Sequence, residues 1–544
     1  MSGSVAVSTD RGEVRSSDMR LVIAASSAGT IFEWYDFFIY GTLATVIGKT
    51  FFPADNPALQ ILLVWAGFAV GFGFRPLGAV RFGYLGDRMG RKYTIFATVI
   101  LMGIATAGVG LIPSAESIGI AAPILVILLR ICQGLALGGE YGGAAVYVVE
   151  HAPARRAGYF SSYIQASVVG GFVLSLIVVL SCKAGFSADA WGAWAWRVPF
   201  LLSLLLLAAS LWMRLKLNES PVFKAMKEAG EISNNPIRDS FTYPGNRKRI
   251  LVALFGVSAG LTVIWYTAMF TGLSFLKGPM RVDDTWAEII VGVAALLGMG
   301  FFIAAGHLSD KVGRKKPMVV GYALTLLLLF PIFWAMGAAA NPGQADAARR
   351  APVVIHAHSC DFDAFADKQK TACGRTLGEL SKLGVRYTLA PAKPTTGFGD
   401  RMPEITVAGR PLVADQVSDI RPALEAAGYD FGKHIPSPGN IAIIIACLLA
   451  LSALSGATYG PAAALLAEMF PPAIRYSSLS IPYHIGTGYF GGFLPLISSY
   501  IVARSGDPYA GLWYTMAVVA IALIVAMWGL RETPQPAIAP AIHA

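Results

Sequence analysis

Two related stretches decide the fold: Gly83-Tyr84-Leu85-Gly86-Asp87-Arg88-Met89-Gly90-Arg91-Lys92 and Gly306-His307-Leu308-Ser309-Asp310-Lys311-Val312-Gly313-Arg314-Lys315. Each lies between two long apolar runs. A charged, glycine-punctuated turn between apolar runs, present once in each half, reads as a duplicated membrane protein.

Working outward, apolar runs fall near 20–46, 58–83, 93–112, 119–149, 159–182, 195–216, 249–276, 286–307, 317–338, 440–468, 478–503 and 510–531. Each is about 20 residues or longer, enough to cross a hydrocarbon core of roughly 30 Å. Twelve spanning helices are predicted. Charged residues make up only 14% of the chain, against roughly a quarter in soluble domains.

The net charge of +10 is distributed by topology rather than as a nucleic-acid patch. Arg88, Arg91 and Lys92 share one connection, and Arg155 and Arg156 another. Lys224, Lys227, Arg247 and Lys248 fall in the long central connection, Lys311, Arg314, Lys315 and Lys316 in a fourth, and Arg475 in a fifth. These are alternate connections, so the positive-inside rule places them, and both chain ends, in the cytoplasm. A nucleic-acid partner is excluded on this reading. The first nineteen residues are polar and carry no signal-peptide pattern.

The duplication extends beyond the turns. Ala28–Asp36, containing Glu33-Trp34-Tyr35-Asp36, aligns with Ala259–Thr267, containing Ile264-Trp265-Tyr266-Thr267. Tyr141–Pro153 aligns with Tyr459–Pro471. The offset between copies is about 223 positions at the turns and about 318 at these tyrosines, so roughly 95 residues are inserted into the second half alone. Residues 340–438 are polar and rich in Pro and Gly. They follow the ninth run, so parity puts them outside. A structureless loop of that length is uncommon, and a small folded module is expected. Val353–Ile355 and Ile405–Val407 read as strands, Ala366–Lys382 and Asp415–Ala427 as helices. Cys360 and Cys373 lie in this module, and an external compartment permits their pairing as a disulfide. The alternation His356, His358, Cys360 would put three metal ligands on one strand face, but no fourth ligand is specified, and no metal is assigned.

Ionisable groups inside a span cost roughly 2.5–3.5 kcal/mol each, so they are functional candidates. Glu33 and Asp36 stand three apart and share a helix face. Their repeat counterparts, Ile264 and Thr267, are neutral, so the scaffold does not require carboxylates there. Arg75, in Arg75-Pro76-Leu77-Gly78, lies deep in the second run, while Arg81 reaches the interface. Arg130, Gln133, Gly134, Gly138 and Tyr141 repeat at helical spacing on the fourth run, with the glycines permitting close helix approach. Arg130 and Gln133 are expected to face a cavity. Glu140 is grouped with Glu33 and Asp36 as a proton-coupling residue, with pairing to an arginine as its alternative. His484 lies within the eleventh run, as a buried helix-to-helix hydrogen-bonding group or a cavity-lining contact. Trp34, Tyr35, Trp265 and Tyr266 are core aromatics or walls of a substrate site. A buried carboxylate can take up a proton near neutral pH, and a buried guanidinium suits a carboxylate ligand. One half thus carries both a proton site and an anion site.

These residues resemble the major facilitator superfamily, over the whole chain except the insertion and tails. Phe32-Glu33-Trp34-Tyr35-Asp36-Phe37, Arg75-Pro76-Leu77-Gly78 and Arg130-x-x-Gln133-Gly134-x-x-x-Gly138-Gly139-Glu140 together resemble its metabolite:proton symporter family, whose members take up organic acids or zwitterions such as proline and betaine. The resemblance implies an all-α membrane protein of two pseudo-symmetric six-helix bundles, here with a small α/β insertion, working as a monomer in the bacterial inner membrane. It implies proton-coupled uptake of a small organic acid by alternating access, with the proton as coupling ion, no other cofactor and no enzymatic step. Gly83, Asp87, Arg88, Gly90 and Arg91, echoed by Asp310 and Arg314, would latch the cytoplasmic side.

The expected organisation is a cytoplasmic tail (1–19), a first bundle (20–216), a linker (217–248), helices 7–9 (249–338), the external module (339–438), helices 10–12 (439–531) and a Pro/Ala-rich cytoplasmic tail (532–544). That last tail lacks the long coiled coil of the family's osmosensing member. The insertion departs from the common family plan. Alternatives are import of a zwitterionic osmolyte caged by Trp34 and Trp265, a sensor using the external module, and a drug exporter, the last disfavoured by the two deep arginines.

Overall fold

The computed structural model describes residues 16–54, 57–89, 91–139, 145, 148–149, 151–215, 235–357, 360–391, 403–412, 417–471 and 474–531. Ten helices among them are long and apolar enough to cross a membrane: Leu59–Phe82, Ala121–Gly138, Ala157–Gly185, Ala195–Met213, Asn246–Lys277, Asp284–Val312, Lys315–Ala340, Pro438–Met469, Arg475–Ser505 and Leu512–Gly529. Ser16–Thr42 precedes them, and Arg91–Leu111, apolar from Phe96 onward, follows the first of them. In chain order these are spans 1 to 12. Lipid offers the backbone no hydrogen bonds, so apolar runs close them internally as helices. The outward faces remain apolar: Leu205 and Leu327 are each 68% exposed and Trp528 84%. Surfaces of that kind are matched by acyl chains rather than by water. This is a multi-pass membrane protein.

Close packing rests on glycine where backbones touch. A Cβ added at Gly134 would lie 1.8 Å from Gly71 O, and one at Gly138 would lie 2.1 Å from Arg75 O. Spans 2 and 4 therefore meet backbone to backbone, as the glycine spacing predicts. Spans 5 and 8, one from each half, meet likewise at Gly158 and Gly306. At the opposite end of that pair, Glu288 of span 8 is 2% exposed and accepts from Lys183 of span 5 at 2.7 Å and Lys277 of span 7 at 2.6 Å.

Among the described residues, spans 7 and 11 carry π-helical turns, span 7 at Ala253–Ser258 and Thr267–Thr271 and span 11 at Gly486–Gly492. Such turns gather at functional sites.

The insertion is a small α/β module. Four strands, β1 (Val353–His356), β2 (Tyr387–Ala390), β3 (Glu404–Val407) and β4 (Arg410–Pro411), form a sheet in the order β2-β1-β3-β4. β1 and β2 are parallel and are joined through the helix Ala372–Leu383; β3 runs antiparallel to both β1 and β4. Ala408 and Gly409, both at positive φ, make the two-residue turn between β3 and β4, which needs left-handed conformations at both positions. The first module helix is shorter than the sequence suggests. Thr371 caps it by accepting from Gly374 N, and Gln369 ties residues 363–369 into a loop through Asp363. The second is also shorter, Ile420–Ala426. Cys360 and Cys373 form a disulfide, which removes Cys360 as a metal ligand. His356 contacts Thr406 and Pro391 O, and His358 lies outside the described residues.

The module is fastened to the second half. Val282 and His434 pair backbone to backbone, Lys433 bridges to Asp284, and Ser381 donates to Ala503 O. Phe365 stacks on Tyr500 at 5.6 Å. From the first half, Leu62 of span 2 joins the module's apolar core.

Candidate functional site

Span 1 carries most of the expected chemistry. Glu33 and Asp36 are 8% and 5% exposed, so both carboxyls are withdrawn from water. Asp36 Oδ1 has no hydrogen-bond partner among the described residues. Tyr35 points elsewhere: its hydroxyl donates to Pro199 O at 2.6 Å, tying span 1 to span 6. The sequence treated Trp34 and Tyr35 as a pair, but neighbours on a helix diverge by about 100°, and of the two it is Trp34 that lies against Arg75.

Arg130 is fully buried. Its Nη1 donates to Gln133 Oε1 at 2.6 Å and, at 3.5 Å, to Phe37 O. Gln133 Nε2 in turn donates to Thr106 Oγ1 at 2.7 Å, which fixes the amide. The guanidinium carbon lies 4.2 Å from the Phe37 ring centre, 4.4 Å from Tyr40 and 5.2 Å from Phe68. Nε and Nη2 have no hydrogen-bond partner among the described residues. A buried cation in an aromatic sleeve, with donors to spare, is poised for an anionic ligand. Arg75 is also fully buried, 5.3 Å from the Trp34 ring centre and 5.0 Å from Phe72.

The second half answers with neutral polar groups. Tyr266 lies within the electrostatic reach of both Arg75 and Arg130, and His484 within that of Arg75. The Tyr266 hydroxyl, both His484 ring nitrogens and Trp265 Nε1 are buried without hydrogen-bond partners among the described residues. His484 lies two residues before the π turn of span 11, and Tyr266 immediately precedes that of span 7. The two arginines of the first half and these groups of the second thus converge between the bundles. Phe38 lies against both indoles, 4.9 Å from Trp34 and 5.2 Å from Trp265, so the two tryptophans do not face each other across open space.

Phe38, Tyr40, Phe68, Thr106 and Phe270 were not singled out from sequence. Tyr40 could have been, since it lies four residues beyond Asp36 on the same face. Phe270 could not: its counterpart in the first repeat carries no charge or motif.

At the end of the spans opposite Glu288, the second turn forms a charged cluster that bridges the halves. Asp310 accepts from Gly158 N at 2.9 Å and Tyr159 N at 2.8 Å, at the start of span 5. A carboxylate at a helix N-terminus is favoured by the exposed amides and the helix dipole. Arg314 holds Asp310 at 2.6 Å and Glu468 at 3.1 Å. Tyr476 of span 11 donates to Gly139 O at 3.1 Å on the same side. In the first turn, Gly83, Asp87, Arg88 and Arg91 belong to described helices, but their side chains fall outside the described residues, as do Gly90 and Glu140 entirely.

Two bundles meeting around a buried polar centre, closed on one side by a charged latch, define a carrier of the major facilitator fold. The solved structure of the proton:xylose symporter XylE bound to 6-bromo-6-deoxy-D-glucose shares that fold, with a TM-score of 0.59, 15% identity, and coverage of 96% of this chain and 97% of that one. The family model for sugar (and other) transporters matches residues 21–240. The shikimate transporter of Escherichia coli strain K12 is 35% identical over 333 residues, 60% of this chain and 75% of that protein. The glycine betaine/proline/ectoine/pipecolic acid transporter OusA of Dickeya dadantii is 36% identical over 325 residues, and the match covers 58% of this chain and 64% of the length of that relative. The inner membrane metabolite transport protein YhjE of Escherichia coli is 28% identical over 519 residues, 94% of each chain. The chain belongs to the sugar (and other) transporter family of the major facilitator superfamily, a family of transporters and not of enzymes.

Proposed function

We propose that this protein carries a small carboxylate-bearing metabolite into the cell together with a proton, by alternating access across the bacterial inner membrane. The observation that carries the reading is Arg130: a fully buried guanidinium whose Nε and Nη2 lack hydrogen-bond partners among the described residues, opposite the Tyr266 hydroxyl and His484 ring nitrogens of the other half, which lack them likewise. A carboxylate between them would receive a charge-assisted pair from one bundle and neutral donors from the other. Either bundle alone leaves the ligand half-solvated, so binding favours closure. Asp36, buried near this centre on span 1, supplies the proton site, with Glu33 beside it. Shikimate, proline and glycine betaine, named for the relatives, share a carboxylate. The last two are zwitterions. Their names favour a second reading in which a substrate cation lies against Trp34, once Phe38 has moved off that ring. The basic connections put both chain ends in the cytoplasm and the module outside. The protein acts as a monomer, needing only the bilayer, the metabolite and the proton.

The test is uptake by proteoliposomes under an inward proton gradient, with shikimate, proline, glycine betaine and choline supplied separately. At least one carboxylate should accumulate, and choline, which has none, should not. Accumulation unaffected by a protonophore would overturn proton coupling. Equal accumulation of choline would overturn the carboxylate.

A further inference from the structure

A cavity of about 380 Å³ lies outside the central cluster, between the bundles and the module. The first half contributes Thr42 and Trp65, the second Phe270 and Arg281, the module Lys382 and Lys433. Phe270 separates it from the central site. Its ring stacks on Tyr266 at 5.6 Å and lies 5.4 Å from both Phe38 and Phe68. Beneath that aromatic layer lies Arg130, 5.2 Å from the Phe68 ring centre.

The lining charges are Lys277, Arg281, Lys382 and Lys433 against Asp284 alone. Glu288 holds Lys277, and Asp284 holds Lys433. Lys382 has Glu379 only at 3.7 Å. Arg281 has no acidic partner among the described residues. Its Nη2 donates to the neutral carbonyl of Lys382 at 2.9 Å, and its Nε is buried without a partner. It holds this place at φ 55°, a left-handed conformation uncommon for a non-glycine residue. Burial, and then the neighbouring charge of Arg421, push its pKa down, the response of a cation lacking a counter-ion. On the cavity wall, Trp65 Nε1 and Thr271 Oγ1 are also buried without hydrogen-bond partners among the described residues.

We propose that this cavity is a second ligand site, an outer station that holds a small organic anion under the module before Phe270 admits it to the centre. The module completes it: Lys382 and the Lys382 carbonyl that positions Arg281 both come from the insertion. The inference rests on the external placement of the module, and it goes beyond the central site by adding a binding step upstream of it. The wall is largely apolar, with Ile61, Leu62 and Leu273, so the preferred ligand is a carboxylate on an apolar body.

The experiment labels Ser499→Cys, a position on the cavity wall, in the full-length protein. The probes are the anionic 2-sulfonatoethyl and the cationic 2-trimethylammonioethyl methanethiosulfonates. Rates are taken over the parent chain and normalised to those with free cysteine. The anionic reagent should react roughly tenfold faster, as for a cleft lined by one sign of charge. Lys382→Gln, on an exposed side chain, should reduce that preference, and Arg281→Gln should abolish it. Arg130→Gln should lose uptake and keep the preference. Equal rates for the two reagents, or a preference unchanged in Lys382→Gln, would overturn the outer site and leave the central one standing. Loss of the preference in Arg130→Gln would show one continuous site rather than two.

Discussion

The two halves of this chain share a scaffold but not a chemistry. Where the first half buries Glu33 and Asp36, the second carries Ile264 and Thr267, and Thr267 spends its hydroxyl on Thr515 at 2.7 Å. Arg75 and Arg130 likewise belong to the first half. The second half supplies Tyr266 and His484, the described latch of Asp310, Arg314 and Glu468, and the module. Duplication therefore fixes where helices pack, and the departures from symmetry mark where chemistry was added. At the centre, charge sits in the first bundle and neutral polarity in the second. On the proposed reading, a ligand between them would be recognised electrostatically from one side and shaped from the other.

The largest effect should come from Arg130. Arg130→Lys keeps the charge but not the planar fork. Loss of one charge-assisted hydrogen bond, roughly 1.5–3 kcal/mol, corresponds to about a 10- to 150-fold weaker apparent affinity, measured as the concentration dependence of uptake in proteoliposomes. Unchanged affinity would make Arg130 structural and remove the asymmetry.

Next in size, Asp36→Asn should abolish accumulation driven by a proton gradient while sparing exchange of substrate across equal concentrations. Glu33→Gln should do so less completely. Adding a carboxylate at the symmetric place, Thr267→Asp in the Asp36→Asn background, should not restore accumulation. Restoration would show that the halves are interchangeable after all.

Asp310→Asn should have a smaller effect. It weakens the contact with the amides of Gly158 and Tyr159 and leaves Arg314 less well held. A several-fold change in turnover with little change in affinity is expected, as for a residue that acts on the equilibrium between conformations. An affinity change without a turnover change would place Asp310 in the binding site.

Smallest of all should be deletion of residues 342–436, bridged by a short Gly/Ser linker. The first half joins its third and fourth spans through residues 112–120 and needs no such module. Apparent affinity should fall several-fold, with turnover preserved at saturating substrate. Abolished transport in a well-expressed deletion would make the module part of the cycle.

The spans, the duplication and the presence of an insertion were legible in sequence because lipid imposes a single rule, about 20 apolar residues per crossing, and the insertion breaks it. The arginines and carboxylates were legible for the same reason, as violations. What escaped was direction. Nothing in Trp34-Tyr35 says that one side chain faces Arg75 and the other Pro199. The π turns have no composition signal, yet they precede or follow the residues that line the centre. β2 and the short β4 were missed because neither alternates apolar and polar residues over enough length. The helix expected from Ala366 starts six residues later, because the loop before it is organised by Gln369 and the disulfide, contacts distant from any local propensity.

The way the module is attached has a mechanical consequence. Its anchors, Val282, Asp284, Ala503 and Tyr500, all belong to the second bundle, whereas Leu62 touches it from the first by apolar contact alone. Hydrogen bonds and an ion pair resist sliding; a greasy contact permits it. Under the proposed alternating access, a tilt of the bundles would carry the module with the second, like a visor on a hinge it does not own, and the first bundle would glide beneath it at Leu62. An insertion of this size would be tolerable at this point because, among the described residues, its apolar core takes Leu62 alone from the first bundle.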